Sequence, residues 1–432
     1  MPDIASYIPI LHAELLNEVI PNSLNIFIYI APLALCIFLG GTAWNLWIRY
    51  VQAKFYNSLK YTLLELKLPK ETVKSPKAME IVINSLHNTA DGGWTARFWK
   101  GEYRPYYSLE IVSTEGVVKF YIWTEDRRKG GVMSALYSQF PGIEVIERDD
   151  YTRGVFFDPK IHKLWAADIA FTHKNPAMPI KTYVDYGLDK DPKEEFKVDP
   201  ITYFVEFLSS VPPNQHHWTQ FIIRAHKAEQ KKKGHLFKKT DAWKDAGEKL
   251  INEILARDSK TRVSGAGLGT GTVWKPGDPH VPVKTTPIED EILLAMQRSL
   301  TRPAFDVGIR SIYLAPKDTF NTPFGIGGTI SAFKHFSSEH LNGLKPNGDT
   351  WIAQFGEPWK DYKDWRRNHL SKEVLKAYKR RAYFFPPYKG KVLYLNTEEL
   401  ATIFHFPGSV AASPGLERVP SKKAEAPGNL PV

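Results

Sequence analysis

Residues 26–48, IFIYIAPLALCIFLGGTAWNLWI, contain no charged side chain, and this run constrains the chain more than any other feature. At about 1.5 Å of rise per residue it is long enough to cross a hydrocarbon core of about 30 Å as one helix. A buried core helix seldom stays charge-free over such a length. A cleaved leader has a shorter apolar region, with basic residues before it and a small-residue cleavage site after it. Here Asp3, Glu14 and Glu18 precede the run, with no Lys or Arg among them. The run is therefore read as a transmembrane helix.

Its flanks set a direction. Arg49, Lys54, Lys60, Lys67 and Lys70 follow it, and positive charge is retained on the cytoplasmic side. The expectation is a single-pass protein of the bacterial plasma membrane, with residues 1–25 outside and the bulk of the chain in the cytoplasm. Trp44, Trp47 and Tyr50 fall at the inner end, where amphipathic rings favour the membrane interface. Pro32, Gly40 and Gly41 are tolerable inside a membrane helix. Residues 4–20 are moderately amphipathic through Ile8, Leu11, Leu15, Leu16 and Val19, a pattern suited to the outer interface.

The 432-residue chain leaves enough length after the span for more than one domain. Its single cysteine, Cys36, lies inside the apolar run, so neither an internal disulfide nor a multi-cysteine metal site is available within one chain. The formal charge of +10 favours anionic partners, nucleic acid or the acidic inner leaflet.

After a juxtamembrane linker at 49–74, Ser75-Pro76 supplies a helix start, and Met79, Val82, Ile83 and Leu86 share one helical face. Residues 107–112 and 117–124 alternate as a hairpin about a turn at 113–116. A helix over 127–140 and a strand over 143–148 follow. Helix, strand, strand, helix, strand is the order of a ferredoxin-like unit. A second such unit is expected from a helix opening at Asp199-Pro200, a strand over 217–225, a helix from Thr286-Pro287 through Leu300, a strand over 305–314 and a helix over 327–341. The expected fold is α+β: one transmembrane helix, then two ferredoxin-like units at 75–195 and 196–408, then a disordered tail at 409–432. A charged helical insert at 227–258 and a Gly/Pro loop at 264–287 would interrupt the second unit. The tail is rich in Pro, Ala, Ser and Lys.

Several chemistries fail on spacing. The segment SGAGLGTGTVWKPG over 264–277 has neither a Walker A loop nor G-x-G-x-x-G. His335, Glu339 and His340 approach a zinc motif but carry one residue too many between the histidines. His216 and His217 are adjacent and point to opposite faces of a strand. His405 sits among aromatics, where packing or a hydrogen bond explains it. There is no G-x-S-x-G elbow and no cysteine nucleophile outside the span. No catalytic residue, cofactor or metal ligand is assigned.

Two basic clusters remain. The first holds Arg224, Lys227, Lys231, Lys232, Lys233, Lys238 and Lys239. Glu229 and Asp241 lie within it, as on a solvated helix face. The second runs over 360–391, with Arg366, Arg367, Lys379, Arg380 and Arg381 among Trp359, Tyr362, Trp365, Tyr378, Tyr383 and Phe384. Cations mixed with aromatics suit phosphate contact and base stacking. They equally suit a solvated face above an aromatic core. Arg366, Arg367, Lys379, Arg380, Arg381, Lys231, Lys232 and Lys233 are the candidate nucleic-acid contacts.

Three stretches in this order carry a resemblance: LPKETVKSPKAMEIVINSLHNT with YYSLEIVSTEGVVKFYIWTE; DPITYFVEFLSSVPPNQHHWTQFIIRA; and IFHFPG with SPGLERVPSKKAEAPGNLP. Together they resemble the membrane-anchored N-terminal region that precedes the motor in bacterial conjugation-type, or type IV secretion, coupling ATPases of the HerA/FtsK-like class. The resemblance spans almost the whole chain. It implies a tail leading toward a P-loop ATPase that moves DNA or protein across a membrane. Because no P-loop lies within these residues, it implies that another chain supplies the motor. The partners implied are that ATPase, membrane lipid, DNA and further copies of the chain. The alternative is a membrane-tethered nucleic-acid-binding protein that needs no motor.

Overall fold

A computed structural model describes residues 20–67, 69, 74–90, 92–173, 175–190, 198–228, 230–231, 239–264, 285–348, 350, 361, 364–385, 388–408 and 415–416. They form two units. One comprises Met1–Leu59 with Asp91–Tyr103, the other Lys60–Ala90 with Arg104–Val432.

The first unit is built on one long helix, α1 (Ile20–Ser58). Its part Ala31–Ser58 is long and apolar enough to cross a membrane. Leu33, Leu35, Ile37, Phe38 and Leu39 all point outward, each more than half exposed, as a lipid-facing helix requires. The helix passes through residues 49–58, where a linker was expected. A short helix of the same unit, Trp94–Phe98, lies against its C-terminal half.

The second unit contains α2 (Pro76–Ser85); the one-turn helix of the first unit is α3. Its strands are β1 (Tyr61–Lys67), β2 (Tyr106–Thr114), β3 (Val117–Glu125), β4 (Glu144–Arg148), β5 (His162–Phe171), β6 (His216–Ala225), β7 (Gln230–Lys231), β8 (Lys239–Thr240), β9 (Ala304–Pro316), β10 (Leu344–Pro346) and β11 (Leu393–Asn396). Its remaining helices are α4 (Lys129–Gln139), α5 (Pro200–Ser209), α6 (Ala242–Ser264), α7 (Pro287–Thr301), α8 (Gly328–Lys334), α9 (Trp365–Lys379) and α10 (Thr397–Ile403).

Local expectations held better than the global one. The hairpin, α2, α4, α5, α7, β4, β6 and β9 lie where the sequence places them. The two expected ferredoxin-like units are not separate bodies, because their strands join one sheet. Nine strands make one antiparallel sheet in the order β10-β5-β9-β6-β2-β3-β1-β4, with β11 also on β9. The pairing of β2 with β6 runs from Tyr106 opposite Arg224 to Thr114 opposite His216, straight across the expected boundary at 195/196. The physical reason is burial on both faces. β6 and β9 are buried along nearly their whole length, so each needs neighbours on both edges and cover on both sides. β1 lies within the expected linker at 49–74, yet it pairs with both β3 and β4.

The hairpin turns on Glu115 and Gly116, both at positive φ (54° and 84°), the type I′ geometry that matches strand twist. In the expected helical insert, residues 230–231 and 239–240 are instead a short ladder, and the helix begins only at Ala242. The expected helix over 327–341 is a π-turn at Pro323–Gly327 followed by α8, which ends at Lys334. Most of the Gly/Pro loop lies outside the described residues. So does most of the tail, but Gly415 and Leu416 are held: the Val118 amide donates to the Gly415 carbonyl at 2.8 Å, and Leu416 packs on the core. At those two residues the tail is not disordered.

One face of the sheet is apolar. Leu64, Ile111, Phe120, Phe221, Val307 and Leu395 project from it into a core closed by α2, α4, α5, α8 and α10. At about 1.5–3 kcal/mol for each large apolar side chain removed from water, this layer dominates the body's stability. The opposite face is different in kind.

Candidate functional site

A single row of polar residues crosses that second face. In register, Glu65 of β1 lies opposite Tyr121 of β3. Tyr121 lies opposite Glu110 of β2, Glu110 opposite Gln220 of β6, Gln220 opposite Arg310 of β9, and Arg310 opposite Asp168 of β5. All six are buried. The alternation of a strand explains the placement: each residue is one step out of phase with the apolar positions of its own strand. A parallel set, Tyr106, Arg224, Asp306 and Tyr394, lies nearer the other end of the same strands.

The row is covered by α9 and the residues after it. Arg381 reaches down so that its Nε donates to Glu110 Oε1 at 3.0 Å and its Nη2 to Asp150 Oδ1 at 3.2 Å, with a second bond from Nη1 to Asp150. Glu110 also accepts from Ser108 Oγ (2.7 Å), Tyr151 Oη (2.8 Å) and Gln220 Nε2 (3.1 Å). Burial works against the charge on Arg381, but Glu110 and Asp150 outweigh it and hold the guanidinium ionised. Burial would likewise raise the Asp150 carboxyl; Arg381 brings it below its ordinary value. Tyr151 and Tyr378 touch at 2.9 Å through their hydroxyls, and burial followed by the nearby Glu110 pushes both far up, so both remain neutral.

Arg381 sits at φ +49°, in the left-handed region that a side chain seldom occupies. It occupies the position after the helix cap where glycine is usual. Its amide donates to Tyr378 O (2.9 Å) and the next amide, of Ala382, to Ala377 O (3.0 Å), completing the Schellman pattern. Two carboxylates on the side chain hold a backbone conformation that costs about 1–3 kcal/mol.

Further along the row, Arg310 Nε donates to Asp168 Oδ1 at 2.8 Å, and Tyr388 Oη donates to the other oxygen. The Arg310 guanidinium lies 4.2 Å from the Tyr388 ring centroid and 5.4 Å from that of Tyr383. Gly308 makes room for this lid: a Cβ there would meet the Tyr383 ring at 2.3 Å. In the parallel set, Arg224 Nη2 meets Asp306 at 2.6 Å, and His226 bridges Asp306 (2.6 Å) and Asp241 (3.1 Å). Burial lowers the His226 pKa, and the two carboxylates reverse this, raising it overall.

The expected nucleic-acid contacts are thus divided. Arg381 is buried in the row and its charge is matched by two carboxylates. Lys379 is partly buried; its Nζ donates to Val155 O at 2.7 Å and lies 5.1 Å from the Phe156 ring centroid, and burial lowers its pKa. Arg367 pairs with Asp364 at 2.8 Å. Arg366 and Arg380 are exposed, at opposite ends of α9. Lys231 pairs through its backbone with Lys239; Lys232 and Lys233 lie outside the described residues. The sequence places none of Glu65, Glu110, Asp168 or Arg310 in a site. The available signal was one ionisable residue in the middle of each apolar strand, as in TLLELK, YSLEIV, LWAADIAF and VGIRSIYL.

Chemically, the row pairs opposite charges: Arg381 with Glu110 and Asp150, and Arg310 with Asp168. Among the described residues, no group of three or more His, Cys, Asp or Glu is placed to hold a metal ion. No family model matches the sequence, and no characterised protein matches it.

Proposed function

We propose that this chain is a non-catalytic, membrane-anchored component of a type IV secretion or conjugative DNA-transfer machine. It serves as the assembly or substrate-contact module for a P-loop ATPase supplied by another chain. The observation that carries this reading is the pairing of an outward-facing apolar helix with a body whose buried ionisable groups engage one another. Such a body offers shape and position. The ordered segments that resemble the coupling-ATPase region also support it, because they meet in space: β2 and β3 form one hairpin, β2 pairs with β6, and α10, which runs into the IFHFPG segment at Ile403, packs on α2. Charge asymmetry about α1 orients the body toward the cytoplasm of a bacterial cell. Cross-linking in intact membranes, followed by purification through the full chain, is expected to recover a P-loop ATPase or another secretion component. Recovery of neither contradicts the proposal.

The exposed side of α9 favours a second reading, nucleic-acid contact. Trp365 is 73% exposed and its ring lies nearly parallel to that of His369, at 5.8 Å. Arg366, Lys372, Lys376 and Arg380 are exposed on the same helix or its cap. A stacking platform among cations suits single-stranded nucleic acid. Binding to the full chain would then weaken steeply with salt. If replacing Arg366 and Arg380 with Ala leaves affinity and salt slope unchanged, this reading fails.

A further inference from the structure

The short segment around α3 is the part of the first unit that its spanning helix does not explain. Four positions on α1, Trp44, Trp47, Val51 and Phe55, are spaced by three or four residues and so share one helical face. Each meets a partner from the segment. The Trp44 ring lies 5.8 Å from that of Phe98, the Trp47 ring 5.6 Å from that of Trp99, and the Phe55 ring 5.3 Å from that of Tyr103. Val51 is met by Gly101, at φ +74°, where a Cβ would fall 2.3 Å from the Val51 carbonyl oxygen. Order along the segment follows order along the helix.

The direction of this match matters. Tyr103 lies at the level of Phe55, away from the apolar run, while Phe98 lies level with Trp44, at the run's inner end. The segment therefore climbs back along α1 and sets α3 beside the boundary of the apolar run. There the Trp47 indole N–H donates to Phe98 O at 3.1 Å. The bond satisfies a donor that lipid hydrocarbon cannot and a carbonyl in the last turn of α3 that has no helical partner.

The outer surface of α3 is aromatic and basic. Trp94 is 62% exposed and Trp99 54% exposed, with Arg97 and Lys100 exposed between and beside them. Tryptophan rings with basic residues, next to the end of an apolar helix, form an interfacial pattern. Arg49 and Lys54 add positive charge along the same stretch of α1, and anionic headgroups complement it.

We infer that residues 93–100 form a second membrane contact, a foot embedded among anionic phospholipid headgroups of the leaflet where α1 emerges. Trp94 and Trp99 enter the headgroup–acyl boundary, and Arg97 and Lys100 meet lipid phosphates. The inference rests on the reading of α1 as membrane-spanning and adds to it. A span alone leaves the protein free to tilt and rotate; a foot bound on one side of it fixes both.

The test uses the full chain with Cys36→Ser, reconstituted in vesicles of phosphatidylcholine and phosphatidylglycerol. An environment-sensitive fluorophore is attached at one engineered cysteine at a time: Trp94→Cys in the foot, Leu39→Cys in the span, or His369→Cys on the exposed side of α9. Lipid quenchers carried high or deep on the acyl chain report depth. Position 39 is expected to be quenched by the deep quencher, position 94 by the shallow one with blue-shifted emission, and position 369 by neither. Replacing phosphatidylglycerol with phosphatidylcholine is expected to weaken quenching at 94 by about fivefold or more while sparing 39. Gly101→Ala is expected to release 94 and leave 39 quenched. If position 94 behaves like 369 while 39 stays quenched, the foot is overturned and the span stands. If 39 is also unquenched, the spanning reading itself fails and the foot with it. Equal shallow quenching at 94 in both lipids overturns the assignment to anionic headgroups.

Discussion

The anchor unit and the sheet body use the same residue types in opposite ways. In the anchor unit, Trp44, Trp47, Trp94 and Trp99 keep much of their surface exposed, beside Arg97 and Lys100. In the body, Trp165, Trp218, Trp243, Arg310 and Arg381 are among the largest fully buried side chains. What separates the two is the supply of carboxylates. Glu65, Glu110, Asp150, Asp168 and Asp306 face the body's cations, whereas Glu102 is the one acid that the described part of the segment 92–103 contains. A basic-aromatic segment is thus a surface where acids are scarce and a core lid where buried acids await it.

The largest effect expected from breaking this contrast is at Arg381. Arg381→Met leaves the buried Glu110 and the partly buried Asp150 without their cation and should cost about 3–5 kcal/mol, measured by urea unfolding of the full chain in detergent micelles. A loss below about 1 kcal/mol would mean that the lid charge is not a structural element of the body.

Next come two opposed limbs of pH dependence. Burial pushes His217 down to about 3 from 6.5. Between those values the unfolded chain holds a proton that the folded chain does not, so stability is present above about pH 6.5 and is lost as pH falls. Burial also pushes Glu399 up to about 8 from 4.5. There the folded chain holds the extra proton, so stability falls as pH rises through that window. Each limb should amount to a few kcal/mol. His217→Phe should flatten the acid limb and Glu399→Gln the alkaline one, in melting temperatures taken across pH. If neither limb changes, these groups are not buried as described.

In the anchor unit, Gly101→Ala should cost about 2 kcal/mol through its positive φ and the Val51 carbonyl, but locally. Hydrogen exchange should rise over 94–103 while the sheet amides stay protected. The smallest effect is expected on the outside of α9, where Arg366→Ala and Lys372→Ala should each change stability by no more than about 0.5 kcal/mol.

Much of the local structure was legible, because it rests on neighbours in sequence. Ser75-Pro76, Asp199-Pro200 and Thr286-Pro287 open α2, α5 and α7 as their capping chemistry requires. The single sheet was not legible. Repetition of a helix–strand pattern does not reveal that β2 will pair with β6, since that choice depends on edges far apart in the chain. The polar row was hidden for the same reason. Glu110 in YSLEIV is one anomaly in one strand; only register brings it to Gln220, Arg310 and Asp168. The burial of Arg381 was hidden because composition shows a cation but not the two carboxylates beneath it.

Membrane recruitment tests the central claim most directly. With the ATPase identified by cross-linking, its fraction sedimenting with membranes is measured in cells that make the full chain, in cells that lack it, and in cells whose chain carries Leu35→Lys and Phe38→Lys within α1. The account predicts a membrane-bound ATPase in the first case and a largely soluble one in the other two. An ATPase distributed identically in all three would contradict it.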